Sequence, residues 1–555
     1  MSGWRHQVPV HSPVSAAAVF AGARAAAARN GRPARAEERV VALLTERYSP
    51  RDVLLTDSGT VALTAAFLGV LADRPGAAVA MPAYACYDLA TAAAGADVPV
   101  LLYDTDPRTL APDLAQLQST LRQGATAIVA VPLYGYPIDL GDVNRLAVEA
   151  GAVVIEDAAQ GAGGTLNGRP AGTQGSLAVL SFGRGKGLTG GSGGALLAHD
   201  ETGVRVLERV RGMLAKPRRG WPELVTLTAQ LLLEHPSLYA IPAVLPFIRL
   251  GQTIYREPQP LRRASAACAS VIAATWSLAG RELDVRRRNA ERLLVELRRQ
   301  PGFQTVNAAG QARPGYLRLP VLASAPARRA AAESAARRLG IMPGYPKALC
   351  DVERFRPRCL NRDAAFPGGR LLADRLCTLP THGRLGLRDL TRLDYYACGV
   401  KNNGQQWPFI VLEIDWNGDN VIDDEIVFEP TYQNLIDGGA CGTLSNQGPP
   451  LYNNWQFWDA LRKAAGSYRA CWWSVEDPAF PPGDVIRSLS DYITAHPNAA
   501  IVNLDGNHGG VQIMQGFASA SDSFDGWVDA LTVGKDINMN NSQANSTITY
   551  DYQQP

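Results

Sequence analysis

The stretch SFGRGKGLTGGSGG, Ser181 to Gly194, places one lysine among seven glycines. Lysine is rare in this part of the chain, because the first 390 residues contain only Lys186, Lys216 and Lys347. Arginine is common there, but it stays protonated at any working pH and cannot form a Schiff base. A lysine amine can do so once it is deprotonated in a suitable site. Lys186 is therefore the first candidate for covalent chemistry.

The composition of the whole chain narrows the possible functions. With 555 residues and a net charge of +2, the chain is long enough for several domains and gives no indication of a nucleic-acid partner. Its eight cysteines include no CxxC pair, which favours mostly core or free thiols and, for the main body, a reducing, cytoplasmic compartment. The Ala-rich N-terminus lacks the features of a signal peptide. Charged residues and prolines interrupt the apolar stretch 224–251, so we expect no membrane span.

A change of composition divides the chain near residues 384–395. From residue 395 onward there are three arginines but fifteen asparagines, and seven of the ten tryptophans lie there. In the first body, apolar strands alternate with helical patterns, which predicts a mostly parallel sheet covered by helices. We expect a large α/β domain over residues 1–250, a small α+β domain over 251–390 and a third domain over 395–555.

Three candidate site segments stand where predicted strands end. Asp157 ends the strand AVVIED, Ser181 lies at the end of LAVLSF, and the turn of Ser58, Gly59 and Thr60 follows DVLLTD and opens a helix. Ligands of open α/β sheets bind at the carboxyl ends of strands, and a helix N-terminus is a ready phosphate site. Each segment also has a purely structural interpretation, as a helix cap or a turn.

Together with Lys186, these segments indicate one cofactor. A phosphate cradle, a carboxylate and a lysine are the groups that pyridoxal phosphate needs. The lysine would bind the aldehyde, and Asp157 would keep the pyridine nitrogen protonated so that the ring withdraws electrons.

Five segments of the first body resemble the DegT/DnrJ/StrS family of pyridoxal-phosphate-dependent sugar aminotransferases, over about residues 10–392. The segments are TDSGTVALTAAF, MPAYACYDLATAAAGADVPVLLYDTDPRTLAPD, AIVAVPLYGYPIDL, VVIEDAAQGAGG and SFGRGKGLTGGSGGALL. The resemblance implies the type I fold of pyridoxal-phosphate enzymes, with a mostly parallel sheet covered by helices and a small α+β domain.

The resemblance also implies a role for each candidate residue. Lys186 would hold the cofactor covalently, Asp157 would contact the pyridine nitrogen, and Gln160 would lie beside the ring. Four residues would bind the phosphate, namely Ser58, Gly59, Thr60 and Ser181. The family's stacking aromatic has no direct counterpart, because Cys86 stands at its place, so we expect Tyr84 or Tyr87 to stack instead.

The implied activity is transfer of an amino group, with glutamate as donor, to a keto sugar carried by a nucleotide. The active form would be a homodimer. Two alternatives are a calcium- or glycan-binding protein with a degenerate aminotransferase scaffold, and a pyridoxal-phosphate-dependent sugar dehydratase. Because a dehydrating branch of the family has His in place of the lysine, Lys186 favours transamination.

The last 160 or so residues contain short strands separated by turns, which predicts an antiparallel sandwich. They resemble part of a lectin-like sandwich found in exported bacterial proteins, often those with PEP-CTERM sorting tails. In DWNGDNVIDDE, four residues have the spacing of calcium-loop ligands, namely Asp415, Asn417, Asp419 and Asp423. The loop lacks the glycine and the bidentate glutamate of an EF-hand, and the alternative is a polar hairpin turn. The tryptophans of this C-terminal region would form either a sugar-stacking face or the core of the sandwich.

Overall fold

The computed structural model divides the chain into two compact units, which we call the N-terminal unit (residues 4–382) and the C-terminal unit (residues 383–555). In the N-terminal unit it describes residues 8–28, 32–233, 239, 253–298, 302–331, 336–337 and 340–382. In the C-terminal unit it describes residues 390–402, 407–416, 422–430, 447, 451, 456–461, 463–464, 467–468, 470–474, 477, 479, 487–496, 499–501, 511–514, 524–535 and 546–550.

The strands of the N-terminal unit are short. They are β1 Asp52–Thr56, β2 Ala78–Pro82, β3 Val100–Tyr103, β4 Ala125–Ala130, β5 Val153–Asp157, β6 Thr165–Leu166, β7 Arg169–Pro170, β8 Leu177–Ser181, β9 Gly194–Ala198, β10 Phe303–Thr305, β11 Ala312–Arg313, β12 Leu319–Ala323, β13 Met342–Pro343 and β14 Leu376–Leu379.

The main sheet of this unit has seven strands in the order β1-β9-β8-β5-β4-β2-β3. The central strands β2, β3, β4, β5 and β8 are parallel, which confirms the expected α/β class. The antiparallel strand β9 was not predicted; it enters between β1 and β8 and pairs with both. Its sequence, GALLA, is a short apolar run, and a run of this length does not distinguish a strand from part of a helix.

The helices of this unit are α1 Ala16–Ala27, α2 Arg32–Tyr48, α3 Gly59–Leu71, α4 Tyr87–Gly95, α5 Leu114–Arg122, α6 Gly141–Ala150, α7 Glu201–Arg211, α8 Trp221–Leu233, α9 Ala266–Arg298, α10 Ala325–Ala331 and α11 Pro367–Arg375. The sequence pattern predicts a long amphipathic helix from about Arg281, and in the structure this helix begins fifteen residues earlier, at Ala266. The added segment is rich in alanine, a strong helix former, and the Ser265 hydroxyl accepts a hydrogen bond from Cys268 N at 3.1 Å.

Two smaller sheets complete the N-terminal unit. One has the order β11-β6-β7, and the other is antiparallel with the order β10-β12-β14-β13. The second of these, with α10 and α11, lies within the range 251–390, where a separate small α+β domain stays a prediction. In the described part of the whole chain, none of the helices has the length and apolar character needed to cross a membrane.

The C-terminal unit consists mainly of antiparallel strands. They are β15 Leu390–Asn402, β16 Phe409–Asp415, β17 Asp424–Phe428, β18 Gln456–Asp459, β19 Lys463–Ala464, β20 Ser467–Tyr468, β21 Cys471–Ser474, β22 Arg487–Ser488, β23 Ala500–Ile501, β24 Val511–Met514, β25 Phe524–Lys535 and β26 Ser546–Tyr550, with the helix α12 Leu489–Ala495.

These strands form sheets in the orders β18-β15-β25-β26 and β22-β21-β17-β16-β23, with β24 also paired to β16. The antiparallel pairing agrees with the sequence expectation, while the sandwich and the lectin-like resemblance stay predictions. Strand β15 covers the segment at the composition change and pairs with β18 and β25, so the C-terminal unit begins somewhat earlier than residue 395.

The core of the C-terminal unit is aromatic. Trp458 and Trp472 are both 0% exposed, and Phe428 packs against Trp472 with ring centroids 5.6 Å apart. For these two tryptophans the structure favours core packing over a sugar-stacking face. Cys471 takes part in a disulfide bond, which departs from the expected free thiols.

Candidate active site

The carboxyl ends of β5 and β8 and the turn after β1 meet at one edge of the main sheet. Asp157 pairs with Val179 of β8, and Gly194 of β9 pairs with both Ser181 and Thr56. These registers bring the predicted site segments to the same place. A cavity lies there, and its lining residues are Gly59, Thr60, Leu63, Cys86, Asp88, Leu89, Val131, Asp157, Ala159, Gln160, Ser181 and Lys186.

The turn that carries Lys186 is tied to the N-terminal segment of the chain. Gly185 has a φ of 76°, a left-handed conformation that favours glycine. The buried hydroxyl of Ser12 donates to the Lys186 carbonyl at 2.6 Å and accepts from Gly185 N at 3.1 Å. Sequence reasoning missed Ser12, because a contact between residues so far apart leaves no local pattern.

Asp157 is only 6% exposed, and its Oδ1 accepts a hydrogen bond from Ala159 N at 3.2 Å. Burial raises the pKa of its carboxyl to about 6, while the charge of Lys186 and the Ala159 hydrogen bond act in the opposite direction. Asp88 adds a smaller upward effect on this pKa. At neutral pH the carboxyl is therefore mostly ionised.

The turn after β1 is the segment for which the sequence predicts a phosphate cradle. Ser58 caps α3, because its Oγ accepts from Val61 N at 3.1 Å, and Gly59 and Thr60 form the first turn of the helix. A Cβ at Gly59 would lie 2.7 Å from the Ser181 Cβ, so only glycine allows this close approach. Gly59, Thr60 and Ser181 line the cavity, whereas Ser58 is not among the lining residues.

The side-chain amide of Gln160 is held from two directions. Its Oε1 accepts from Tyr134 N at 3.2 Å, and its Nε2 donates to the hydroxyl of Tyr345. Tyr134 has a φ of 58° and is buried. The sequence predicted Gln160 but neither tyrosine, and the unusual backbone of Tyr134 is not visible in composition or periodicity.

The predicted stacking residue Tyr84 is not among the residues that line the cavity. It is 0% exposed, and its hydroxyl accepts from Tyr345 N at 2.8 Å. The cavity wall instead contains Cys86, whose thiol donates to Asp88 Oδ2 at 3.4 Å. Burial raises the pKa of this thiol to about 12, so it is protonated at neutral pH. A role for Tyr84 in stacking stays a prediction, and Cys86 and Asp88 are additions that the structure supplies.

The residues of this cavity fit pyridoxal phosphate. Lys186 supplies an amine for the aldehyde, and Asp157 supplies a buried carboxylate for a protonated ring nitrogen. Gly59 and Thr60, in the first turn of α3, line the cavity, and the N–H groups and dipole of a helix N-terminus stabilise an anion. The three kinds of group share one cavity.

The fold is that of sugar aminotransferases of known structure. The sugar aminotransferase CalS13 from Micromonospora echinospora superposes with a TM-score of 0.52 at 21% identity, over 68% of this chain and 95% of that one. A DegT DnrJ EryC1 StrS aminotransferase from Brucella abortus gives a TM-score of 0.51 at 20% identity, over 66% and 89%. Residues 19–225 match the model of the DegT/DnrJ/EryC1/StrS aminotransferase family, so this part of the chain is a domain of that family.

Two curated relatives are similar to this chain in sequence. GDP-perosamine synthase of Caulobacter vibrioides is 31% identical over 176 residues, which is 32% of this chain and 47% of the relative. L-glutamine:2-deoxy-scyllo-inosose aminotransferase of Micromonospora echinospora is 31% identical over 237 residues, which is 42% of this chain and 55% of the relative. The chain thus spans about half the length of the curated relatives it matches.

The predicted calcium site lies in the C-terminal unit and falls partly outside the described residues. Asp415 is 0% exposed, and Asp423 Oδ2 accepts from Trp416 N at 2.7 Å. Asn417 and Asp419 lie outside the described residues. Among the residues that the structure describes, no group of three or more His, Cys, Asp or Glu side chains is arranged to hold a metal ion. Calcium stays a prediction.

Proposed function

We propose that this chain is a pyridoxal-phosphate-dependent aminotransferase that transfers an amino group from glutamate to a keto sugar carried by a nucleotide. The observation that carries the proposal is the single cavity that brings Lys186, Asp157 and the phosphate turn together. The names of the relatives, which include a GDP-perosamine synthase and a UDP-N-acetyl-3-dehydro-alpha-D-glucosamine 3-aminotransferase, support a nucleotide sugar as substrate. We further propose that the active form is a homodimer.

Pyridoxal phosphate, when bound, supplies an aldehyde that takes up amino groups and a ring that withdraws electrons. Lys186 Nζ would hold the cofactor and would move a proton as general base and acid. The carboxylate of Asp157 would stabilise positive charge on the ring nitrogen. Thr60, Ser181 and the N-terminus of α3 would hold the phosphate.

The test of the site is covalent trapping. Wild-type protein incubated with pyridoxal phosphate and reduced with borohydride should retain the cofactor, and peptide mass spectrometry should find it on Lys186. Lys186→Ala should lose the trapped cofactor and reduce turnover by at least about three orders of magnitude, because both the covalent link and the proton carrier are gone. Lys216→Ala is the matched control and should behave like wild type.

Two results would count against the proposal. Cofactor trapped on Lys216 or Lys347 in the Lys186→Ala protein would remove Lys186 from its role. Wild-type protein that takes up the cofactor but shows no glutamate-dependent conversion to the pyridoxamine form would favour the dehydratase alternative. A screen of nucleotide keto sugars with glutamate then identifies the acceptor.

A further inference from the structure

We propose that Tyr345 is a positioning residue that fixes the side-chain amide of Gln160 at the wall of the cofactor cavity. This inference rests on the proposed function, since it concerns the same cavity. Gln160 lines that cavity, three residues after Asp157. Tyr345 lies outside the lining and acts only through Gln160.

The first step concerns the orientation of the amide. The backbone N–H of Tyr134 can only be met by an acceptor, so Oε1 of Gln160 must face it, at 3.2 Å. The amide nitrogen then points to the Tyr345 hydroxyl and donates to it. With both ends engaged, the amide cannot rotate or turn toward the nearby carboxyl of Asp157.

The second step concerns why Tyr345 can serve as an anchor. Its segment is attached to the loop after β2 and to the first residue of α4 by three hydrogen bonds. Tyr345 N donates to the Tyr84 hydroxyl at 2.8 Å, Leu349 N donates to Ala83 O at 2.7 Å, and the Tyr87 hydroxyl donates to Lys347 O at 3.4 Å. This segment follows β13 of the small antiparallel sheet, whereas the loop belongs to the main sheet. The anchor therefore links the two sheets at the cavity.

The packing around Tyr345 restricts its ring as well. The ring is 9% exposed and lies against Tyr134 with centroids 6.1 Å apart and an interplanar angle of 22°. It also contacts Tyr84, with centroids 5.4 Å apart. A Cβ at Gly344 would lie 2.3 Å from the Tyr84 hydroxyl, so a glycine is needed before Tyr345 for this arrangement. Burial raises the pKa of Tyr345 well above its usual value, and the hydroxyl stays neutral as a partner of an amide.

The test compares Tyr345→Phe with a matched control, Tyr136→Phe. Tyr136 is also buried, at 2% exposure, and its hydroxyl has no hydrogen-bond partner among the described residues. Tyr345→Phe should weaken the equilibrium binding of pyridoxal phosphate about five-fold, as expected for one lost hydrogen bond, and Tyr136→Phe should leave it unchanged. The pH midpoint of the absorption change of the bound cofactor should shift in the first variant and not in the second.

A double-mutant cycle separates positioning from general loss of structure. Gln160→Met keeps the side-chain volume and removes the same hydrogen bond, so it should weaken cofactor binding on its own. Adding Tyr345→Phe to it should cause no further loss, because the two changes remove one interaction. If Tyr345→Phe does not fold, the shift of the absorption midpoint in Gln160→Met alone still tests the role of the amide.

Each outcome has a distinct meaning. The inference is wrong if the losses of cofactor affinity multiply in the double variant. It is also wrong if Tyr345→Phe keeps the wild-type affinity for pyridoxal phosphate and the wild-type pH midpoint of the absorption change. Either result would leave the proposed function intact. A wild-type protein that takes up no pyridoxal phosphate would overturn both.

Discussion

The two units of this chain arrange their polar groups in different ways. In the main sheet of the N-terminal unit, parallel strands end at one edge, so Asp157 and Ser181 converge although they come from separate strands. In the C-terminal unit the long strands β15 and β25 are antiparallel, and neighbouring strand ends lie at opposite edges. A parallel sheet therefore brings strand ends together at one edge, and the residues that line the cavity all lie in the N-terminal unit.

The state of the cysteines also differs between the two units. The five cysteines of the N-terminal unit are free thiols, namely Cys86, Cys268, Cys350, Cys359 and Cys377. In the C-terminal unit Cys471 is disulfide-bonded. Four of the five thiols of the N-terminal unit are buried and Cys86 lines the cavity, whereas the C-terminal unit contains a cross-link. The predictions below test whether the two units behave as differently as these features indicate.

The largest expected effect of these tests is on the reaction. Asp157→Asn should lower turnover by about 100-fold or more, since a neutral amide cannot stabilise charge on the ring nitrogen. Covalent trapping on Lys186 should survive, as should the thermal transition of the N-terminal unit. Asp113→Asn is the control, because Asp113 caps α5 through Gln116 N at 2.9 Å and asparagine caps equally well. Turnover near that of wild type in a folded Asp157→Asn enzyme would exclude Asp157 from the site.

Reduction of the disulfide should destabilise only the C-terminal unit. The loss of one disulfide typically costs about 2–4 kcal/mol, so a reductant should lower the unfolding temperature of that unit clearly. The N-terminal unit, whose cysteines are free, should unfold at the same temperature with or without reductant. Differential scanning calorimetry of the full chain resolves the two transitions. A shift confined to the N-terminal transition would reverse the comparison.

The stability of the N-terminal unit should depend on pH through Asp157. Folding raises the pKa of this carboxyl from 3.8 to about 6, so the folded state binds its proton more tightly than the unfolded state does. The resulting stabilisation is fully present below about pH 4 and is lost as the pH rises through about 6, on the order of 3 kcal/mol. Urea unfolding of the cofactor-free protein at several pH values measures it.

The comparison for the pH experiment is Asp157→Asn, whose free energy of unfolding should depend less on pH than that of wild type. Asp57 and Glu156 also have raised pKa values because of burial, so some slope should remain. If the free energy of unfolding of Asp157→Asn depends on pH as strongly as that of wild type, Asp157 does not titrate in this range.

Much of the site followed from sequence because its signals are local. Ser58 to Thr60, Asp157 and Ser181 each stand where an apolar strand pattern stops, and Lys186 stands out by composition. A strand end can be recognised in a short window, and parallel strands bring their ends together without further information.

The residues that sequence reasoning missed depend on long-range contacts. Tyr345 meets Gln160 across 185 residues, and Ser12 meets the Lys186 carbonyl across 174. Neither contact changes hydrophobic periodicity, so neither leaves a pattern in the chain. The hydrogen bond between Tyr345 N and the Tyr84 hydroxyl is a further long-range contact of this kind, and a stacking role for Tyr84 stays a prediction.

The smallest expected effect is that of removing the C-terminal unit. All residues that line the cofactor cavity lie within residues 4–382, and this unit is compact by itself. A chain ending at His382 should therefore bind pyridoxal phosphate with the affinity of the full chain, within about two-fold, because domains with their own core usually fold alone.

Two fragments of the C-terminal unit give the matched comparison. Residues 383–555 keep all of β15, whereas residues 394–555 lose Leu390 to Leu393, which pair with β25. The shorter fragment should unfold at a lower temperature, since cutting β15 leaves part of β25 with an unpaired edge. A precipitating 1–382 fragment beside a 383–555 fragment that unfolds cooperatively would show that the N-terminal unit needs the rest of the chain to fold.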